Sequence, residues 1–272
     1  PLSEEDILGK TLIAMRDDLA SYEREMEAKV EERTEVLKRQ TDQLESQGEE
    51  IRKLYTDLTS SIDYARRIQG AILPSDTLRK GVFDRQFVLH MPRDGVSGDF
   101  PWFHKLDAWR LMAAVDCTGH GVPGAFMSLL GHNALQHIGK VYTQPGKILD
   151  RLNEMARNVL HRGEDSSLEA KDQVPDGMDL GLVSINLEER KMEFAGANAP
   201  AYLVRNGEVT ELKPDKRAIA SVEPGEFRFN TQVVSLEDGD MVYCASDGYS
   251  DQFGGPRGRK FMRKRFRGLL AE

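Results

Sequence analysis

The chain has 272 residues, a formal net charge of −8 and 39% hydrophobic content, with a sequence pI near 5.4. That length holds one large or two ordinary domains, and the apolar content is enough to fill a core. The acidity excludes a general nucleic-acid binder, which needs a basic face for phosphate. Cys117 and Cys244 have no Cys-x-x-Cys spacing, which points to a reducing, cytoplasmic compartment. No run of about 18 apolar residues marks a membrane span, and there is no signal peptide. The chain starts at Pro1 rather than Met, which suggests a fragment or a processed chain and leaves room for an upstream membrane sensor, of which this would be the cytoplasmic portion.

Residues 16–60 are dominated by Glu, Gln, Arg, Lys and Asp. Within them Val30, Leu37, Leu44, Ile51 and Leu58 recur at a seven-residue interval. With Thr34, Thr41, Gly48, Tyr55 and Ile62 they form a heptad seam, which predicts a stalk over 19–60 that pairs with a copy of itself as a coiled coil. Thr34, Thr41 and Gly48 fill little volume, and Gly inside a helix costs about 1 kcal/mol relative to Ala. Leu19, Tyr22 and Met26 follow their own three-four spacing, and the step from Met26 to Val30 shifts the register by one residue. A marginal seam of this kind suits a signalling stalk with two packings of similar energy; the plainer alternative is a single solvated helix.

The helical pattern continues over 61–73 and stops at Pro74, so 61–80 forms a linker helix and boundary. Beyond it, 81–272 is expected to be one globular domain. Short β-type runs fit 87–91, 99–106 and 109–115, the last two joined by a tight turn at 106–108. A helix is expected from Pro123 through Phe126, Leu129, Leu130, Ala134 and Ile138. A second covers 146–160, with Ile148, Leu149, Leu152 and Val159 on one side. A polar loop follows at 162–175, then strands at 180–187 and 191–195. Asn206-Gly207 between 201–205 and 208–212 is a two-residue hairpin signal, and further strands fit 232–236 and 240–245. Strands on both sides of a central helix pair predict an α+β fold, an antiparallel β-sandwich flanked by helices rather than a doubly wound sheet.

Three remote segments each deliver an aspartate into a glycine-rich turn: Val96-Ser97-Gly98-Asp99-Phe100, Asp116-Cys117-Thr118-Gly119-His120-Gly121 and Ser246-Asp247-Gly248-Tyr249-Ser250-Asp251. One Asp-Gly alone is an ordinary turn. Three together match what hard cations such as Mg²⁺ or Mn²⁺ require, converging carboxylates with backbone that a bulky anion can approach, and so suggest a metal-dependent hydrolase. Near the C-terminal end, Arg257, Arg259, Lys260, Arg263, Lys264, Arg265 and Arg267 form a basic run. It reads either as a solvated helix face or as a dock for an acidic partner or membrane surface.

The stretch from about residue 61 to 270 resembles the SpoIIE-type serine/threonine phosphatases of the protein phosphatase 2C superfamily. The three segments carry the resemblance, together with the run Ser61 to Gln69, Val122-Pro123-Gly124-Ala125, Asp176-Gly177-Met178-Asp179, Ala195-Gly196-Ala197-Asn198 and Gln252-Phe253-Gly254-Gly255. The resemblance implies a sandwich holding two Mn²⁺ or Mg²⁺ ions at one end. Asp99 and Asp116 would bind and bridge the metals with the backbone carbonyl of Cys117. Asp247 would hold one ion from the far side, and Asp251 would be a peripheral ligand. His120 is either a general acid or part of the Gly119–Gly121 turn. Asp176 and Asp179 either touch the site or cap the loop and start a strand, Asn198 organises its turn, and Trp102 and Trp109 belong to the core. Pro101 stands where the family commonly has aromatics.

In the family a further helix and a final strand with adjacent aspartates complete the second metal site. This chain ends at Glu272 without them, so it is expected to be truncated or to lack that ligand. Glu5-Asp6-Ile7-Leu8-Gly9-Lys10 with Leu12, Met15 and Leu19 resembles the last helix of a HAMP signalling module over 1–18. The implied function is a metal-dependent phosphoserine or phosphothreonine protein phosphatase acting on a STAS-type anti-sigma-factor antagonist and regulated through the dimeric stalk. The alternative is a catalytically silent phosphatase-like interaction module acting by coiled-coil dimerisation. A phosphatase for a small metabolite lacks any base or sugar pocket motif.

Overall fold

A computed structural model describes residues 4–74, 76–160, 177–221, 227–256 and 258–272; the loop expected at 162–175 lies outside the described residues, as does Asp176. The chain divides into two compact units, Pro1–Ser61 and Ile62–Glu272. Among the described residues no helix is long and apolar enough to cross a membrane.

Helix α1 runs Glu4–Ile72. In the first unit it is supported by local contacts. Lys29–Glu25 and Arg39–Glu35 pair at 2.6 and 3.2 Å, each worth roughly 0.3–0.5 kcal/mol on an exposed helix. Thr34 and Thr41 donate their hydroxyls to the carbonyls of Val30 and Leu37 at 2.7 and 2.9 Å, so these seam positions satisfy their polar groups within the helix. The heptad row Val30, Leu37, Leu44, Ile51 and Leu58 stays 59–67% exposed.

In the second unit α1 ends before Pro74, as expected where a ring replaces an N–H, and the short α2 (Asp76–Lys80) follows. Then come β1 (Phe100–Leu106), β2 (Trp109–Cys117), α3 (Gly121–Gly139), α4 (Pro145–Leu160), β3 (Met178–Asn186), β4 (Lys191–Ala197), β5 (Ala201–Arg205), β6 (Glu208–Leu212), β7 (Gln232–Ser235), β8 (Met241–Cys244), β9 (Phe253–Gly254), β10 (Arg259–Lys260) and α5 (Arg263–Ala271). The strands form a five-stranded sheet β1-β2-β3-β4-β7, a three-stranded sheet β6-β5-β8 and a β9-β10 ribbon, and all named pairings are antiparallel.

Alternation along the strands divides the interior into two layers. Leu111, Ala113, Val115 and Cys117 of β2 cluster with Leu135 and Ile138 of α3 and Ile148, Leu149 and Leu152 of α4. Met112, Val183 and Phe194 turn the other way, to Ala201, Leu212, Val242 and Cys244 of the smaller sheet. The helices thus cover one face of the large sheet and the small sheet covers the other. This is the antiparallel sandwich that the sequence predicts. Pro101 lies on β1, an edge strand, where a missing N–H is tolerated. Trp102 is fully buried, and Trp109 packs against the helix-side core. Asn206 and Gly207 take φ of 52° and 79°, the left-handed pair that a two-residue hairpin requires.

The strand expected at 87–91 is not formed. Phe87, Leu89 and Met91 alternate outward at 68, 63 and 83% exposure, and the segment has no ladder partner among the described residues. It is tied instead through His90 Nε2, 3.1 Å from the Asp99 carbonyl oxygen, and through Phe87 edge-on to Tyr243. Period-two patterning sets which face is apolar and does not supply a neighbouring strand.

Candidate active site

Strand register builds the acidic centre. β1 and β2 pair Phe100 with Val115, so Asp99, one residue before β1, stands opposite Asp116. β2 and β3 pair Asp116 with Asp179, and β3 and β4 pair Leu180 with Ala197, which sets Asn198 beside Asp179. Asn198 Nδ2 donates to Asp179 Oδ1 at 2.9 Å. A row of Asp99, Asp116, Asp179 and Asn198 therefore crosses one end of the large sheet. Like charges directly opposite one another destabilise a sheet, so the row costs stability, a feature that clusters at functional sites.

The Asp99 loop is seated by backbone contact. A Cβ on Gly98 would lie 2.9 Å from the Gly119 oxygen and 3.0 Å from the Cys117 oxygen. One on Gly124 would lie 2.5 Å from the Gly119 oxygen and 3.2 Å from the Gly98 Cα. Only glycines allow this approach, and it brings the carbonyl of Cys117 against the residue preceding Asp99. The third segment enters after β8. Ser246 Oγ donates to Asp99 Oδ2 at 2.6 Å, and the backbone N–H of Asp247 donates to Asp116, whose carboxyl also shares a hydrogen bond with Asp99. The Asp247 carbonyl accepts from Asp251 N–H at 2.9 Å and Ser250 Oγ at 3.0 Å, closing the turn.

Burial, then the charges of Asp99 and Asp247, push the Asp116 carboxyl up to about 8. Burial also raises Asp179, an effect opposed by the Asn198 hydrogen bond. The Cys117 thiol is buried and pushed well above its ordinary range, so any part Cys117 plays here is through its carbonyl.

The structure gathers the predicted residues unequally. Asp99 and Asp116 are in direct contact, and Asp247 reaches Asp116 through its amide and its charge. Among the described residues no three His, Cys, Asp or Glu side chains gather closely enough to hold a cation by themselves. The donors present are nonetheless all oxygens, two touching carboxylates and a nearby carbonyl, which is the set that fits Mg²⁺ or Mn²⁺. Asp251 stands apart, ion-paired with Lys260 at 2.7 Å. His120 is 77% exposed, with Nδ1 3.4 Å from Asp94 Oδ2.

Two contributors are absent from the expected site residues. Ser246 orients Asp99, and its position directly before Asp247 was the available clue. Arg263 lines the cleft with Phe266 and Tyr202. The three-residue spacing of Arg263 and Phe266 puts both on one face of a helix, and the Phe266 ring packs on Tyr202 at 5.7 Å. The basic run is thus not one uniform solvated face: Arg263 enters the cleft, Lys260 pairs with Asp251 and Arg267 pairs with Glu211.

Two facing antiparallel sheets with helices outside and an acidic row at one end are the architecture of a protein phosphatase 2C-type domain. The solved SiaA-PP2C domain of Pseudomonas aeruginosa agrees, at 36% identity and a TM-score of 0.68 over 79% of this chain and 82% of that one. The sequence model of Stage II sporulation protein E (SpoIIE) matches residues 108–272, and the chain belongs to the SpoIIE family. The RsbU and RsbW domains of a Mycobacterium tuberculosis protein share the fold at 17% identity and a TM-score of 0.51, over 66% of this chain and 46% of that one. A search of curated proteins finds no match.

Proposed function

We propose that this protein phosphatase domain is a divalent-metal-dependent phosphoserine/phosphothreonine phosphatase of the cytoplasm. The observation that carries the reading is the contact between the Asp99 and Asp116 carboxyls, with Asp116 pushed up to about 8. Two carboxylates held together at a strand end, against their own repulsion, suit cations bound between them. Asp99, Asp116, the Cys117 carbonyl and Asp247 would hold two Mn²⁺ or Mg²⁺ ions; Asp251 would join only by leaving Lys260. When bound, such ions supply the lowered water pKa and the charge neutralisation that hydrolysis of a phosphate monoester needs.

The remaining work falls to the chain's own groups. Ser246 fixes the Asp99 carboxylate, the Asp247 N–H fixes that of Asp116, and Asn198 fixes Asp179. Arg263 brings a positive charge to the cleft that Asp116, Asp179 and Asp247 also line, where a phosphoryl group needs a counter-charge. We assign His120 to the exposed rim rather than to proton transfer. The proposed substrate is a phosphorylated STAS-type regulator. The resemblance of the motifs supports this.

A second reading, a silent interaction module, draws on the absence of a preformed three-side-chain cluster among the described residues. Titrating Mn²⁺ against a phosphoserine peptide separates the two. The catalytic reading expects phosphate release that saturates with Mn²⁺, stops on chelation and is lost in Asp247→Ala. Release that stays at zero at every Mn²⁺ concentration selects the silent module.

We further propose that the stalk pairs with a second copy through the exposed heptad row. Sedimentation at twice the 30.6 kDa chain mass is expected, and Leu44→Lys should yield monomer. A Leu44→Lys dimer as tight as wild type contradicts this pairing.

A further inference from the structure

Positive charge is concentrated in one short stretch of an otherwise acidic molecule. Seven of the 37 Lys and Arg residues fall within 257–267, with no Asp or Glu among them, while the chain as a whole carries −8. Lys260 pairs with Asp251, Arg267 pairs with Glu211, and Arg263 lines the cleft. Among the described residues Arg259, Lys264 and Arg265 have no ion pair, and all three are exposed.

The fold holds these cations in place. Helix α5 is fixed by one face: the Phe266 ring packs on Tyr202 at 5.7 Å and on Tyr249 at 5.3 Å, and Arg267 reaches Glu211 of β6 at 2.9 Å. Met262 N–H donates to the Ser250 carbonyl at 2.7 Å and Phe261 N–H to the Gln252 carbonyl at 2.8 Å, which ties the start of the helix to the Asp247 turn. Lys264 and Arg265 occupy the next two positions after Arg263, within about 3 Å of it along the helix axis, and stand off the packed face.

Their placement has no local compensation. The first turn of α5 holds no acidic residue, although the helix dipole there favours anions and disfavours Arg and Lys. Arg263 and Arg267, one turn apart, repel each other. A solvated helix face is ordinarily laced with pairs of opposite charge; this one lacks them, and its uncompensated cations complement an anionic partner. Because Arg263 and Phe266 line the cleft, a chain that places a phosphoryl group there passes the start of α5. A lipid surface would account for the charge and not for its junction with the cleft.

We propose that Lys264 and Arg265, with Arg259 of the adjoining ribbon, are a docking surface for an acidic stretch of the phosphoprotein substrate, held while its phosphoryl group stands beside Arg263. The inference rests on the reading of the cleft as a phosphatase site and names what that site selects: phosphoserine or phosphothreonine flanked by Asp and Glu. Surface cations act on encounter and affinity rather than on the chemical step, so the effect falls on KM and is screened by salt.

The test uses the full chain at saturating Mn²⁺ with three substrates: a phosphoserine peptide flanked by Asp and Glu, one of equal length flanked by Ser and Gln, and p-nitrophenyl phosphate, which has no flank. Wild type is expected to favour the acidic peptide by about 10-fold in kcat/KM, a preference that shrinks as NaCl is raised. Lys264→Glu combined with Arg265→Glu should erase the preference through KM and leave p-nitrophenyl phosphate turnover unchanged. Lys264→Ala combined with Arg265→Ala should lose part of it, and carries the same readouts if the reversed pair does not fold. Equal use of the two peptides by wild type, or an undiminished preference in the variants, overturns the proposal and leaves the phosphatase reading standing. So does a loss of p-nitrophenyl phosphate turnover equal to the loss with the acidic peptide, since the two residues then act through the fold. Wild type that shows no peptide preference but sediments with phosphatidylserine vesicles, and ceases to when the charges are reversed, assigns the surface to a membrane instead and overturns the proposal. A wild-type chain that hydrolyses none of the three substrates overturns the phosphatase reading and this proposal with it.

Discussion

Asp116→Asn is expected to lower kcat/KM by more than about 100-fold, since even groups that only orient a metal ligand are worth roughly 10–100-fold, and yet to stabilise the metal-free protein. Asp116 sits opposite Asp99 in the ladder and is pushed from 3.8 up to about 8. The folded chain therefore keeps a proton that the unfolded chain releases, across the window from 3.8 to about 8. Stability of the metal-free protein falls as pH rises through that window and levels off above it. Asn cannot ionise, so the variant should lack this part of the decline and should melt higher than wild type at pH 8 and above. Melting curves in chelator from pH 5 to 9 check this. Parallel profiles for the two proteins would show that the Asp99–Asp116 contact is not the source of the effect.

Gly124→Ala carries the second large expectation. The added methyl would lie 2.5 Å from the Gly119 oxygen and 3.2 Å from the Gly98 Cα, both backbone, so relief requires moving the loop that presents Asp99. Overpacking of this kind costs about 1–3 kcal/mol, and a shift of about 1 Å at the reacting groups costs turnover roughly 10²-fold. Gly70→Ala is the matched comparison: its Cβ meets nothing within 4 Å, and in a helix it should gain up to about 1 kcal/mol. Denaturant midpoints and phosphate release measure both. Wild-type behaviour in Gly124→Ala would mean that the contact between the two loops does not hold the acidic centre in place.

Much of the fold was legible because its signals are local. The Asn206-Gly207 turn, the helical periods around Leu135 and Leu152, and the Leu- and Val-rich middle of β3 follow from a few neighbouring residues. The segment at 87–91 misleads for the same reason: its alternation is real, while a partner strand is a property of the whole chain.

The site divides along the same line. Asp99, Asp116 and Asp247 stand out by their glycines, whereas the row they join depends on register. β2 runs on to Cys117 rather than stopping at 115, which carries Asp116 into the ladder opposite Asp179. That adjacency makes Asp179 part of the acidic row, although sequence left it between site and strand start. Arg263 was hidden in a basic run, because which member of such a run turns inward depends on where Phe266 packs. His120 and Asp251 sit within the motif-bearing segments, yet their turns direct them to Asp94 and Lys260. Closeness in sequence to Asp116 or Asp247 does not set the direction of a side chain.

Anomalous scattering from crystals soaked in Mn²⁺ decides whether Asp99 and Asp116 share divalent cations. Anomalous peaks are expected between the two carboxylates, on the side of the Asp247 turn. Crystals at saturating Mn²⁺ with no anomalous peak within bonding distance of either carboxylate would contradict that sharing.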